Sequence, residues 1–258
     1  MDGIINKKIL KPDQVIKFYN VNTYNKLLTF SICFNNNNKY YNEKLNALVD
    51  LIKGSNIIIA HISNITLEHF TYLDNKLCYL YDNVQVFKTE NLHGTGSVIF
   101  LNKKHLTFNK TADNPYYFDL ENSSTERKII GCEVIYEETK INVLGIHLES
   151  GQENNSCRLE QLAILSGIIK EMDLHNYVIF GTFTFEQNND ENYDISNLGT
   201  NVWVELGCSM LTRGDNVEKI VYNSEHLHPN MYSIVHKLPN VPEPCGCYTG
   251  ILCSFDIK

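Results

Sequence analysis

The groups able to do chemistry in this chain gather at the ends of apolar runs. The run 141–146 leads into His147-Leu148-Glu149-Ser150, and Arg158 and Gln161 follow on the opening turns of an expected helix. An imidazole and a carboxylate just beyond a strand are groups that can face a phosphoryl oxygen and a cation. A second histidine, His61, closes another apolar run. Magnesium-assisted phosphoryl transfer needs more than these. Mg²⁺ is a hard cation that takes oxygen ligands, usually with one or two carboxylates, and it neutralises charge and orients attack. The next buried run, Val178-Ile179-Phe180-Gly181, is followed by Thr182. A threonine hydroxyl hydrogen-bonds but carries no charge at pH 7. Ile62, after His61, cannot bind a cation at all. At the ends of these two runs the chain offers no carboxylate for such a cation.

Cys245-Gly246-Cys247 is the one close pair among eight cysteines. A zinc site needs four ligands at suitable spacings. His226 and His228 could complete one, but the plainer reading is a loop carrying two thiols. Most of the cysteines sit isolated in apolar surroundings and read as buried thiols. His226 and His228 themselves read as part of a polar loop beside Pro229.

The elements that position these groups follow from periodicity. Short apolar runs at 27–34, 56–62, 84–88, 96–102, 129–137, 141–148, 177–183, 219–223, 231–236 and 250–257 predict strands. The pair 129–137 and 141–148 forms a hairpin across Glu138-Thr139-Lys140. Helical spacing predicts helices over 41–53, 64–73 and 158–172, with a helical turn at 201–206. The asparagine run 35–38 and the acidic stretch 186–193 read as loops. No repeat or Pro/Gly/Ser linker divides the chain, so residues 1–25 read as a polar leader and 26–258 as a single domain. Ten or so strands with three or four helices predict an α/β fold of two packed sheets flanked by helices.

With 258 residues, 43% hydrophobic, the chain can bury a large core. No apolar run approaches the roughly 20 residues needed to cross a bilayer, so no membrane partner is expected. The N-terminus lacks the pattern of a signal peptide, and an intracellular location, cytoplasmic or nuclear, is expected. The asparagine-rich composition has the flavour of an AT-rich genome, such as that of a large DNA virus. Net charge is −8, whereas binding through phosphates calls for a basic face. Nucleic acid is therefore disfavoured as a partner.

The order of these motifs resembles the endonuclease/exonuclease/phosphatase superfamily, and within it the 5′-tyrosyl-DNA phosphodiesterases. The resemblance spans Leu27 to Lys258. His147-Leu148-Glu149-Ser150 with Arg158 and Gln161 is the strongest match. Val178 to Gly181, Asn201-Val202-Trp203-Val204-Glu205-Leu206-Gly207 and the final run from Gly250 to Ile257 support it. The resemblance implies the deoxyribonuclease I-like fold, a four-layer α/β sandwich of two mixed sheets flanked by helices. It also implies Mg²⁺-dependent hydrolysis of phosphodiesters. Position by position the site departs from that pattern. Phe30-Ser31 stands for Trp-Asn, and His61-Ile62 stands for Gln-Glu, whose glutamate binds the metal. Gly181-Thr182-Phe183-Thr184 stands for Gly-Asp-x-Asn. Glu218-Lys219-Ile220 corresponds to the late Asp-Arg-Ile, and the window holding Cys247 and Tyr248 stands where Ser-Asp-His belongs.

The expected vestigial site is thus Ser31, His61, Ile62, His147, Glu149, Thr182, Thr184, Glu218, Cys247 and Tyr248, with no metal ligand set and no cofactor. His147 reads as a buried residue holding the loop before Arg158, and Arg158 with Gln161 as anchors of that loop. Phe183 and Phe185 are expected to fill space once used by substrate and metal. Three functions compete. One is a catalytically inactive homologue that binds protein as a scaffold or regulator. The second is a divergent phosphodiesterase using Glu149, His147 and Glu218 with Mg²⁺ on DNA or protein-linked nucleic acid. The third is a nucleic-acid binder without catalysis.

Overall fold

A computed structural model of the chain describes residues 26–34, 41–87, 94–120, 123, 127–183, 195–207, 218–235, 238, 241 and 250–257. Twelve strands and four α-helices lie among them. The first sheet contains β1 (Lys26–Cys33), β2 (Ile59–Thr66), β3 (Tyr81–Val86), β4 (Thr95–Asn102), β11 (Leu227–Val235) and β12 (Gly250–Ile257), in the order β11-β12-β1-β2-β4-β3. The second contains β5 (Tyr116–Asp119), β6 (Lys128–Tyr136), β7 (Thr139–His147), β8 (Tyr177–Thr182), β9 (Thr200–Asn201) and β10 (Glu218–Asn223), in the order β5-β6-β7-β8-β10-β9. Each sheet has one parallel pair at its centre, β1 with β2 and β7 with β8, and is otherwise antiparallel.

Parallel neighbours require a crossover. Helix α1 (Tyr41–Gly54) makes it in the first sheet and α3 (Asn155–Glu171) in the second. The α1 face predicted from spacing, Leu45, Leu48, Val49 and Ile52, is buried. With α2 (Leu67–Leu77) it covers the outer face of the first sheet, against Ala60, Ile62, Val98 and Phe100. Leu162, Leu165 and Ile168 of α3 cover the outer face of the second sheet, against Leu144, Ile146 and Ile179. A third cluster fills the space between the sheets, with Ile59, Ile99 and Leu101 meeting Val143, Val178 and Phe180. The result is the four-layer α/β sandwich, helices–sheet–sheet–helix. The short α4 (Val202–Glu205) adds Val202 to the inner layer.

Some expectations move. The helix predicted from residue 64 starts at Leu67, because Thr66 caps it. The Thr66 hydroxyl accepts from the His69 N–H at 3.3 Å, and His69 Nδ1 accepts from the Thr66 N–H at 3.0 Å. This reciprocal box lets β2 run on through a bulge at Asn64, whose φ is 58°. The β6–β7 hairpin turns at Glu137-Glu138, not across 138–140. Tyr136 pairs with Thr139, and the two turn residues have φ of 45° and 71°, the paired positive values of a tight hairpin turn. β5 and β9 carried no clear periodic signal. His228 and Pro229 are not loop residues but lie in β11, with a register shift just after Pro229. Cys132 and Cys253 are buried as expected, whereas Cys78 is exposed and Cys157 half-buried. The expected leader 1–25 and the loops at 35–38 and 186–193 lie outside the described residues.

Candidate functional site

Strand alternation decides which side chains meet. On β7, Ile141 and Val143 face the other sheet, which puts Gly145 and His147 on that same inner face. On β8, Val178 and Phe180 do the same for Thr182, and on β10 Ile220 and Tyr222 do so for Glu218. Register aligns them: His147 lies beside Thr182 across β7–β8, and Thr182 beside Glu218 across β8–β10. The row His147–Thr182–Glu218 therefore crosses the end of the second sheet and looks at the first.

Opposite this row, β2 presents His61 and Ser63. The Ser63 Oγ lies 3.0 Å from the Thr182 Oγ1, and the Thr182 hydroxyl donates to the Glu218 carboxylate. His61 is fully buried, its ring against Gly145. Burial depresses its pKa to about 3. Burial, then the Arg127 guanidinium and then His61, hold the pKa of His147 well below the usual histidine value. Both imidazoles are neutral at pH 7.

Ile62 does not join this group. It packs against Leu45, Phe70 and their neighbours in the helix-covered layer, one step out of phase with His61 and Ser63. The residue of β2 that meets Thr182 is Ser63, which no motif in the sequence marks. Two-residue alternation from Ile59 would have found it. Phe183 is likewise out of phase. It packs with Leu148 and Leu162 on the α3 side rather than filling space between the sheets. Ser31 is Cα-paired with His61 through β1–β2. Thr184, Cys247, Tyr248, Cys245 and Phe185 lie outside the described residues.

Glu149 belongs to a neighbouring, separate arrangement. Its Oε2 accepts from the Ser123 hydroxyl at 2.8 Å, and its backbone N–H donates to the Gln161 Oε1 at 2.9 Å. The buried Arg158 guanidinium donates to the carbonyls of Glu149, at 3.2 Å, and Gly151, at 2.5 Å. Gly151 has φ of 94°, a conformation that favours glycine. Arg127 reaches in from the start of β6, with Nη1 on the Leu148 carbonyl and Nη2 3.3 Å from the Ser150 Oγ. The loop after β7 is thus anchored by Arg158 and Gln161, as the sequence suggested. Arg127 and Ser123 add anchors that the sequence did not mark. His147 itself is only half-buried.

The donors in the inner row are two hydroxyls, two neutral imidazoles and one carboxylate. Among the described residues no three His, Cys, Asp or Glu side chains are grouped to hold a metal ion. Glu218 already accepts the Thr182 proton in a site 1% exposed. A strongly hydrated ion such as Mg²⁺, usually held by one or two carboxylates, finds a single carboxylate here, and one of its oxygens is engaged by Thr182.

No protein-family model matches the sequence, and no curated protein matches it. Solved structures do match the fold. The TDP2 of D. rerio, complexed with single-strand DNA product, superposes with a TM-score of 0.74 at 15% identity, covering 89% of this chain and 98% of that one. An endonuclease/exonuclease/phosphatase from Bacteroides vulgatus gives a TM-score of 0.70 at 14% identity, covering 90% and 99%. The human Nocturnin catalytic domain with bound sulfate gives 0.74 at 12% identity, covering 91% and 94%. The chain therefore has the deoxyribonuclease I-like fold of the endonuclease/exonuclease/phosphatase superfamily.

Proposed function

We propose that this protein is a catalytically inactive counterpart of the metal-dependent phosphodiesterases that share its fold, kept as a protein-binding scaffold or regulator. One observation carries the reading. At the end of β8, where the resemblance calls for an aspartate, the Thr182 hydroxyl is already engaged by Ser63 and Glu218. Loss of a general base alone slows a reaction by roughly 10²–10⁴, and a hydroxyl cannot supply the charge a divalent ion needs. The net charge of −8 favours a protein partner over a phosphate backbone.

A second reading has its own support. Glu218 and His147 share one row with Thr182, and a D. rerio TDP2 of the same fold was solved with single-strand DNA product. On that reading the chain is a divergent phosphodiesterase acting on DNA or protein-linked nucleic acid with Mg²⁺. Incubation with a 5′-phosphotyrosyl oligonucleotide and Mg²⁺ or Mn²⁺ separates the two. The inactive reading expects no turnover above that of a His147→Ala variant. Turnover abolished both by a chelator and by His147→Ala establishes the second reading instead.

A further inference from the structure

The end of β8 is where four parts of the fold meet. Thr182 is flanked in register by His147 and Glu218. Its carbonyl accepts the Leu148 N–H at 2.9 Å, holding the start of the loop after β7. Its hydroxyl touches Ser63 of the other sheet, 119 residues away in sequence. Ser63 and Thr182 are fully buried and Glu218 nearly so.

Proton counting orders this group. A threonine hydroxyl has one proton, and Thr182 gives it to Glu218. The 3.0 Å contact with Ser63 must then use the Ser63 proton, with Thr182 accepting. The chain runs Ser63 to Thr182 to Glu218 and ends on a carboxylate. Linked bonds in a low-dielectric interior polarise one another. A cation drawn to Glu218 would compete with Thr182 for the carboxylate that orders the chain.

We propose that Ser63, Thr182 and Glu218 form a cation-independent fastener between the two sheets, with the Thr182 hydroxyl as its central link. The row that resembles a reaction centre then serves to hold the sandwich closed at that end. This goes beyond the functional reading and is measured separately from turnover.

Thermal unfolding of the full chain tests it, in chelator and in millimolar Mg²⁺ or Mn²⁺, for wild type, Thr182→Ser, Thr182→Val, Ser63→Ala and the double variant Ser63→Ala/Thr182→Val. Wild type should unfold at the same temperature with and without the cations. Thr182→Ser, which keeps the hydroxyl, should stay close to wild type. Thr182→Val, which keeps the shape, should unfold about 3–8 °C lower. The double variant should lose clearly less than the sum of the two single losses. If Thr182→Val fails to fold, Ser63→Ala against wild type carries the test, with a drop expected. The proposal is overturned if Thr182→Val or Ser63→Ala unfolds with wild type, if the two losses simply add, or if a divalent cation raises the wild-type unfolding temperature by several degrees.

Discussion

His61 and Gly145 face each other across the two sheets so closely that a β-carbon on Gly145 would fall 2.6 Å from the His61 Cδ2. The glycine is there for space. Its backbone shows no positive φ, so the constraint comes from the imidazole pressed against β7. Gly145→Ala should destabilise the protein by about 1–3 kcal/mol through overpacking. His61→Ala in the same chain should relieve part of that loss. A double-mutant cycle by chemical denaturation checks it: purely additive losses would mean the two residues do not share the space.

The two inward-facing histidines set a direction for pH dependence. The folded pKa of His61 is depressed to about 3 from 6.5, and that of His147 is lowered in the same sense. Below the unfolded value the unfolded chain binds protons that the folded chain does not, so stability falls as pH falls. For His61 the loss begins near pH 6.5 and continues toward 3, at about 1.4 kcal/mol per pH unit. Denaturation midpoints across this range should fall less steeply for His61→Asn than for wild type. Parallel curves would remove His61 as the cause.

Arg158 should be among the least replaceable residues. It is 2% exposed and holds the carbonyls of Glu149 and Gly151. Arg158→Ala should cost about 2–5 kcal/mol, since the buried Glu149 carbonyl and the Gly151 carbonyl beside it lose a charged donor. Arg158→Lys should restore only part, because an ammonium lacks the planar fork. Amide hydrogen exchange should show residues 148–151 losing protection first. Uniform loss across the protein would argue for general destabilisation instead.

A second carboxylate in the row should convert its behaviour. Thr182→Asp sets two acids side by side, since residue 182 is in register with Glu218. Like charges in a buried pair disfavour ionisation, so the variant should unfold well below wild type at neutral pH. The gap should narrow in mild acid, where one acid is protonated, and on addition of Mn²⁺. A variant as stable as wild type at neutral pH in chelator would show that the pair is not buried together.

The layers of this fold were legible because they depend on short-range periodicity. Leu45, Leu48, Val49 and Ile52 announced α1, and the runs into His61 and His147 announced two central strands. The loop anchors Arg158 and Gln161 were legible because they fall on the first turns of a helix that follows the loop directly. What could not be read was phase and distance. Ile62 was aligned with a lost metal ligand, yet alternation turns it toward the helices and brings Ser63 to Thr182. That meeting joins residues 119 apart, and periodicity carries no signal at such a range. Arg127 was missed for the same reason. It lies before β6, and only the pairing of β6 with β7 delivers it to the Leu148 carbonyl.

The register shift after Pro229 reaches past the folded molecule itself. Among the described residues β11 is the outermost strand of its sheet, beside β12. Proline offers no backbone N–H, and an irregular edge cannot template a straight new strand. A second copy seeking to add itself there would find the ladder interrupted near its beginning. Among the described residues β11 is the longest edge strand, and its proline and register shift interrupt it against the addition of a further strand.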